Sequence, residues 1–111
     1  MTSRIITVEE CPNVNWRRFC ITVEISKSSR SFWSPLELIS KQRLMEMGKR
    51  GATLVKAVLT IPGVYKVEVY PDFIYVAKNV SYTWEIIEPR VIEALKKAFG
   101  RSIGKVEVLH P

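Results

Sequence analysis

The sequence predicts an α+β domain, built as a small, mostly antiparallel twisted sheet of four to five strands with two to three helices packed on one face. Three observations carry this expectation. Residues 64–77 read as strand, tight turn, strand. Residues 84–98 carry an apolar stripe at helical spacing. Residues 19–25 alternate apolar and polar side chains, the two-residue period of a sheet that buries one face. The chain has 111 residues, enough for a single domain whose core needs no metal or disulfide to hold it. Hydrophobic residues make up 47% and charged residues 25%, a globular rather than a disordered composition.

Arg4 to Val8 is a β-branched run and reads as the first strand. Pro12, Asn13 and Asn15 favour a turn after it. Trp16 to Ile25 is the second strand, with Phe19, Ile21, Val23 and Ile25 on its buried face, and it is expected to pair antiparallel with the first. Ser26 to Trp33 reads as a polar, basic loop. Ser34, Pro35 and Glu37 form a capping-box pattern that would start a helix running to about Met47, with Gly48 beyond its end. Gly48 to Gly51 is a basic break, followed by a second helix over residues 52–60; a kinked continuation of the first helix is the alternative. Leu54, Val55, Val58 and Leu59 would face the core.

Val64 to Val69 is a strand, Tyr70-Pro71-Asp72 its turn, and Phe73 to Ala77 the returning strand. That last run is apolar on both faces, which places it centrally in the sheet. Thr83 is positioned to cap the last helix, whose buried stripe is Trp84, Ile87, Val91, Leu95 and Ala98. Pro89 removes the backbone bond to Glu85, so the helix is expected to start near Glu88, with residues 84–87 as a preceding turn. Lys105 to Leu109 reads as a short final strand or an ordered tail.

Several function classes lose their support at this level. The one histidine, His110, is next to the C-terminus, so there is no Ser-His-Asp set. The Gly48–Gly51 run lacks the spacing of a phosphate-binding loop. No enzyme is expected. Cys11 and Cys20 have eight residues between them, without the paired spacing of a closed zinc site. No apolar run is long enough to span a bilayer and the N-terminus does not read as a signal peptide, so no membrane role and a cytoplasmic location are expected. Net charge is +6, from 17 Lys and Arg against 11 Asp and Glu, which favours acidic partners without choosing among nucleic acid, anionic proteins and phosphates.

The central block carries a resemblance. Ile61-Pro62-Gly63-Val64, then Asp72-Phe73-Ile74-Tyr75-Val76, then Trp84-Glu85-Ile86-Ile87-Glu88-Pro89-Arg90-Val91 resemble the N-terminal domain of Nfu-type (NifU-like) iron–sulfur scaffold proteins. The opening, Thr7 to Asn13 followed by Arg18-Phe19, is similar to that family's opening strand, turn and strand. The resemblance implies the α+β fold above and a role in iron–sulfur cluster assembly. In that family the cluster is handled by a separate domain with a CxxC pair, and this sequence contains no CxxC.

The expectation is therefore one domain over residues 1–111, with an inserted basic helical segment at about 27–50. It would act as a free-standing, non-catalytic adaptor in cluster assembly or iron handling, through contact with assembly proteins or their acceptors. No cofactor is expected in the isolated chain. Iron or an iron–sulfur cluster on Cys11 and Cys20 is the alternative, and a basic nucleic-acid-associated module is the runner-up function. The partner-binding candidates are Trp16, Arg17, Arg18, Phe32, Trp33, Lys41, Arg43, Lys49 and Arg50. Each also has a plain structural reading, as sheet edge, core, helix entry or solvated helix face.

Overall fold

The computed structural model describes residues 4–100 and 106–111. Six strands form one sheet: β1 (Arg4–Glu10), β2 (Trp16–Ile21), β3 (Arg30–Trp33), β4 (Val64–Val69), β5 (Phe73–Lys78) and β6 (Val106–Leu109). Three helices, α1 (Lys41–Met45), α2 (Gly48–Leu59) and α3 (Trp84–Leu95), accompany them, with a 3-10 turn at Leu36–Leu38 and a π turn at Lys96–Gly100. The sheet order is β3-β4-β5-β2-β1-β6. Every pairing is antiparallel except β1 with β6. β5 is central, as its two apolar faces require. The β1–β2 pair forms the expected hairpin. Lys105, where the last strand was expected to start, lies outside the described residues.

The sheet has one strand more than the sequence suggests, because the 26–33 stretch is not all loop. Arg30–Trp33 pairs with β4, setting Phe32 against Val67 and Trp33 against Lys66. The backbone N–H of Ser34 still donates to the Tyr65 carbonyl at 2.9 Å. This is why the capping-box pattern at Ser34 starts no α-helix. Pro35 leaves the sheet in extended conformation, with φ −79° and ψ 151°. The cap is Ser40 instead, whose Oγ accepts from the Arg43 N–H at 3.2 Å. Helix α1 then lasts only five residues. Gly48, at φ +77°, takes the left-handed turn into α2, so the break falls at Glu46 to Gly48, and Lys49 to Gly51 are already helical.

Helix α3 starts at Trp84 and runs through Pro89, earlier than the lost backbone bond suggests. Tertiary anchoring compensates: the Trp84 indole N–H donates to the Val14 carbonyl at 2.8 Å. Thr83 sits extended at the N-cap position, but its hydroxyl makes no capping bond; its carbonyl accepts from Ile86 and Ile87.

All three helices lie on one side of the sheet. Ile6, Val8, Phe19, Ile21, Phe32, Val67, Val69, Ile74 and Val76 are buried on that side. They meet Leu44 and Met47, the Leu54–Leu59 stripe of α2, and Ile87, Val91 and Leu95 of α3. Each such side chain contributes about 1.5–3 kcal/mol of transfer free energy. Strand β2 ends at Ile21 rather than Ile25; Ile25 is nonetheless buried, and its N–H donates to the Pro71 carbonyl at 2.6 Å.

Candidate functional site

The pleat of the sheet decides what the other face carries. On β2, Arg17, Phe19 and Ile21 turn toward the helices, so Trp16, Arg18 and Cys20 turn away. The register extends this across the sheet. One row reads Glu68, Tyr75, Arg18, Glu9, and the next Trp33, Lys66, Ala77, Trp16. Among the described residues no helix covers this face. It holds a cluster of aromatic rings interleaved with charge.

The rings pack on one another. Tyr75 stands edge-on to Trp16 (centroids 6.2 Å apart, 66° between planes) and edge-on to Phe73 and Tyr70. Tyr70 stacks on Phe73 at 4.5 Å. Such pairs add about 0.5–1.5 kcal/mol beyond area burial. Among the described residues, the strand cations on this face, Arg18 and Lys66, lie on rings. Arg18 is 4.2 Å from the Phe73 centroid, and the Lys66 Nζ is 4.2 Å from Trp33 and 5.3 Å from Trp16. Both are also matched by carboxylates: Lys66 to Glu68 at 2.9 Å, Arg18 Nε to Glu9 at 3.6 Å. The second distance is too long for a hydrogen bond, and the buried Arg18 Nε has no other partner. The Tyr70 hydroxyl donates to Glu68 at 3.2 Å. Burial and the nearby Glu68 charge raise the Tyr70 pKa above the ordinary phenol value.

A shallow cleft of about 490 Å³ opens on this face, lined by Cys11, Pro12, Asn13, Trp16, Glu68 and Tyr75. A second, of about 610 Å³, lies at the far end near Thr7, Cys20, Thr22 and Asp72 and has no aromatic wall. Each cysteine therefore borders a different cleft. Cys20 pairs with Thr7, four residues along the chain from Cys11, which is about 13 Å at strand rise. The two thiols cannot share one ion at that separation. Burial raises both thiol pKa values, with Arg18 opposing less strongly, and the Cys20 Sγ donates weakly to Glu9 at 3.7 Å. Among the described residues no group of three His, Cys, Asp or Glu side chains is placed to hold a metal ion.

The partner-binding candidates separate into groups. Trp16, Arg18 and Trp33 come together on the open face. Arg17 turns to the helix side, where its guanidinium donates to Glu88 and lies 5.2 Å from the Trp84 ring. Phe32 offers no contact surface: it is 0% exposed and packs in the core, because β3 pairs it with Val67. Arg43 is exposed but donates to the Ser31 carbonyl at 2.7 Å and lies over Phe32. Lys41, Lys49 and Arg50 are exposed on the helix side, away from the aromatic face. The sequence reading assigned no role to Lys66, Glu68, Tyr70, Phe73 and Tyr75. The missed signal was the offset of Lys66 and Glu68 against Val67 and Val69, matched across the turn by Phe73 and Tyr75 against Ile74 and Val76.

Comparison with known proteins fits this architecture. The model of the family described as scaffold protein Nfu/NifU N terminal matches residues 5–102. No curated protein matches the sequence significantly. Among solved structures, the solution structure of a NifU-like protein from Saccharomyces cerevisiae aligns with TM-score 0.60 at 23% identity, over 91% of this chain and 81% of that one. The crystal structure of protein SAV1430 from Staphylococcus aureus aligns with TM-score 0.59 at 19% identity, over 79% and 93%. The solution structure of SeR13 from Staphylococcus epidermidis gives 0.51 at 17%, over 82% and 93%. At these identities the likeness to the solved structures is one of fold.

Proposed function

This chain belongs to the Nfu/NifU N-terminal scaffold family, and from that membership we propose that it serves iron–sulfur cluster assembly as a non-catalytic adaptor that works by protein contact. The family match over residues 5–102 carries the proposal. The contact surface is the open sheet face around Trp16, Trp33 and Tyr75. An uncovered face rich in Trp and Tyr is the composition of interface anchors, since these side chains bring large contact area at low entropy cost. The cluster itself is cargo held by partner proteins. Its usual ligands are thiolates, and the two thiols of this sequence are too far apart to supply a pair.

The test is a binding titration of the purified chain against cluster-assembly scaffolds and apo-acceptor proteins. Saturable binding in the micromolar range supports the adaptor role. Absence of binding to every one of them at micromolar concentration would sink it.

A further inference from the structure

We propose that the exposed face of helices α1 and α2 binds the phosphate backbone of double-stranded DNA without reading its sequence. This surface lies on the helix side of the sheet, opposite the aromatic face, and the proposal does not rest on the adaptor reading.

Charge is concentrated there. Residues 41–60 carry five cations (Lys41, Arg43, Lys49, Arg50 and Lys56) and one acid, Glu46, a net +4 out of the chain's +6. All five cations are exposed. Glu46 is paired with Arg30 of β3 at 3.5 Å, and among the described residues none of the five cations pairs with a carboxylate. The neighbouring helix does not offset them: residues 84–97 hold three acids against three cations. On α2, Lys49 and Lys56 are two helical turns apart, so they share a face at about 10 Å along the axis, with Arg50 beside Lys49. The first turn of α2 holds Lys49 and Arg50 and no acid, although the positive end of the helix dipole favours carboxylates there. The fold keeps these cations at a local cost to the helix.

The same face lacks what other partners need. Helix α2 exposes no aromatic or large apolar side chain, and the exposed Leu38 and Met45 precede it. Protein interfaces are instead anchored by aromatic residues and depleted in lysine. Without rings, α2 offers nothing on which the bases of a single strand could stack. The hydroxyls of Thr53 and Thr60 donate to the Lys49 and Ala57 carbonyls of the same helix, both at 2.9 Å. They are committed away from the 2′-hydroxyl contacts by which RNA duplexes are held. What remains is a field of cations, and a DNA duplex presents one negative charge about every 1.7 Å of its axis.

The experiment is fluorescence anisotropy of the full chain with a labelled, mixed-sequence DNA duplex, at salt concentrations from about 50 to 200 mM. Contact of three or four cations with phosphates gives a slope of log affinity on log salt of about −2.7 to −3.6, a loss of roughly 40- to 150-fold over that range. The double variant Lys49→Gln, Arg50→Gln should make the slope shallower by about 1.8. The variant Arg90→Gln, Lys97→Gln removes the same net charge outside this face and should leave the slope within about 0.5 of the parent. Lys49→Glu, Arg50→Glu should abolish binding yet melt at the parent temperature or higher, because carboxylates suit the start of a helix; lost contact is thereby separated from lost fold. No saturation at about 50 mM salt would overturn the proposal. So would equal slopes for the two glutamine variants, a preference above about tenfold for one duplex sequence over an unrelated one, or tighter binding of an oligothymidylate, an RNA duplex or a polyglutamate peptide than of the DNA duplex. Failure here leaves the adaptor role standing, because assembly-protein binding is read at Trp16 and Tyr75 on the opposite face.

Discussion

Replacing Gly63 with alanine tests the physical reason for the Ile61-Pro62-Gly63-Val64 motif. Gly63 sits at φ +96°, a conformation that costs an L-residue about 1–2 kcal/mol. Space is the second obstacle. A Cβ there would fall 2.6 Å from Cδ2 and 2.9 Å from Cδ1 of the Tyr82 ring, and closer still to its Cγ. Tyr82 is 38% exposed, so its ring can swing outward in part. Its backbone cannot follow freely, because the Tyr82 N–H donates to Asn79 and the Asn79 N–H donates to Gly63, at 3.1 and 2.7 Å. Overpacking of this kind costs about 1–3 kcal/mol. Gly63→Ala should therefore destabilise by about 2–5 kcal/mol, a fall in melting temperature of roughly 10 °C or more for a domain of this size. Urea denaturation of Gly63→Ala, Tyr82→Ala and the double variant separates the two contributions. In the Tyr82→Ala background, the glycine change should cost only its backbone share, about 1–2 kcal/mol. A single variant within about 0.5 kcal/mol of the parent, the range of an ordinary surface change, would refute the reasoning.

Three further outcomes follow from the core and its charges. Phe32→Ala should cost about 3–5 kcal/mol in a denaturant melt, whereas Trp33→Ala, next to it but 54% exposed, should cost under about 1 kcal/mol. Glu88 ties Arg17 of β2 and His110 of the C-terminal tail to α3; with Glu88 and Arg17 side chains 15% and 22% exposed, Glu88→Ala should cost about 2–3 kcal/mol by chemical denaturation. Cys11, Cys20 and Tyr70 have raised pKa values in the fold, so the folded state holds these protons more tightly than the unfolded chain. Their stabilisation is complete below the unfolded thiol pKa of about 8.5 and is lost as pH rises through the folded values. Melts from pH 7 to 10.5 should show stability falling above about pH 8.5, less steeply in a Cys11→Ser, Cys20→Ser variant.

Local pattern carried most of the central block. The alternation in β4 and the turn at Pro71 mark their hairpin without help from the rest of the chain. What local pattern could not supply was pairing. β3 is only four residues long and sits in a serine-rich, basic stretch, so its strand character depends on β4 as a partner. The same pairing holds the Ser34 N–H in the sheet and defeats a good capping signature. Pro89 misled in the other direction, because the Trp84 anchor to Val14 spans 70 residues of sequence. The site was legible in fragments. Trp16, Arg18 and Trp33 stood out as surface candidates, but Tyr75 read as part of an apolar strand. Only the register that sets Tyr75 between Glu68 and Arg18 shows that it faces outward.

The central claim is that this family member works by protein contact through its open aromatic face. Isothermal titration of the parent chain and of a Trp16→Ala, Tyr75→Ala variant against cluster-assembly scaffolds and apo-acceptors tests it most directly. The account predicts micromolar binding by the parent, at least tenfold weaker in the variant at unchanged circular dichroism. Equal binding by a folded variant, or none by the parent, would contradict it.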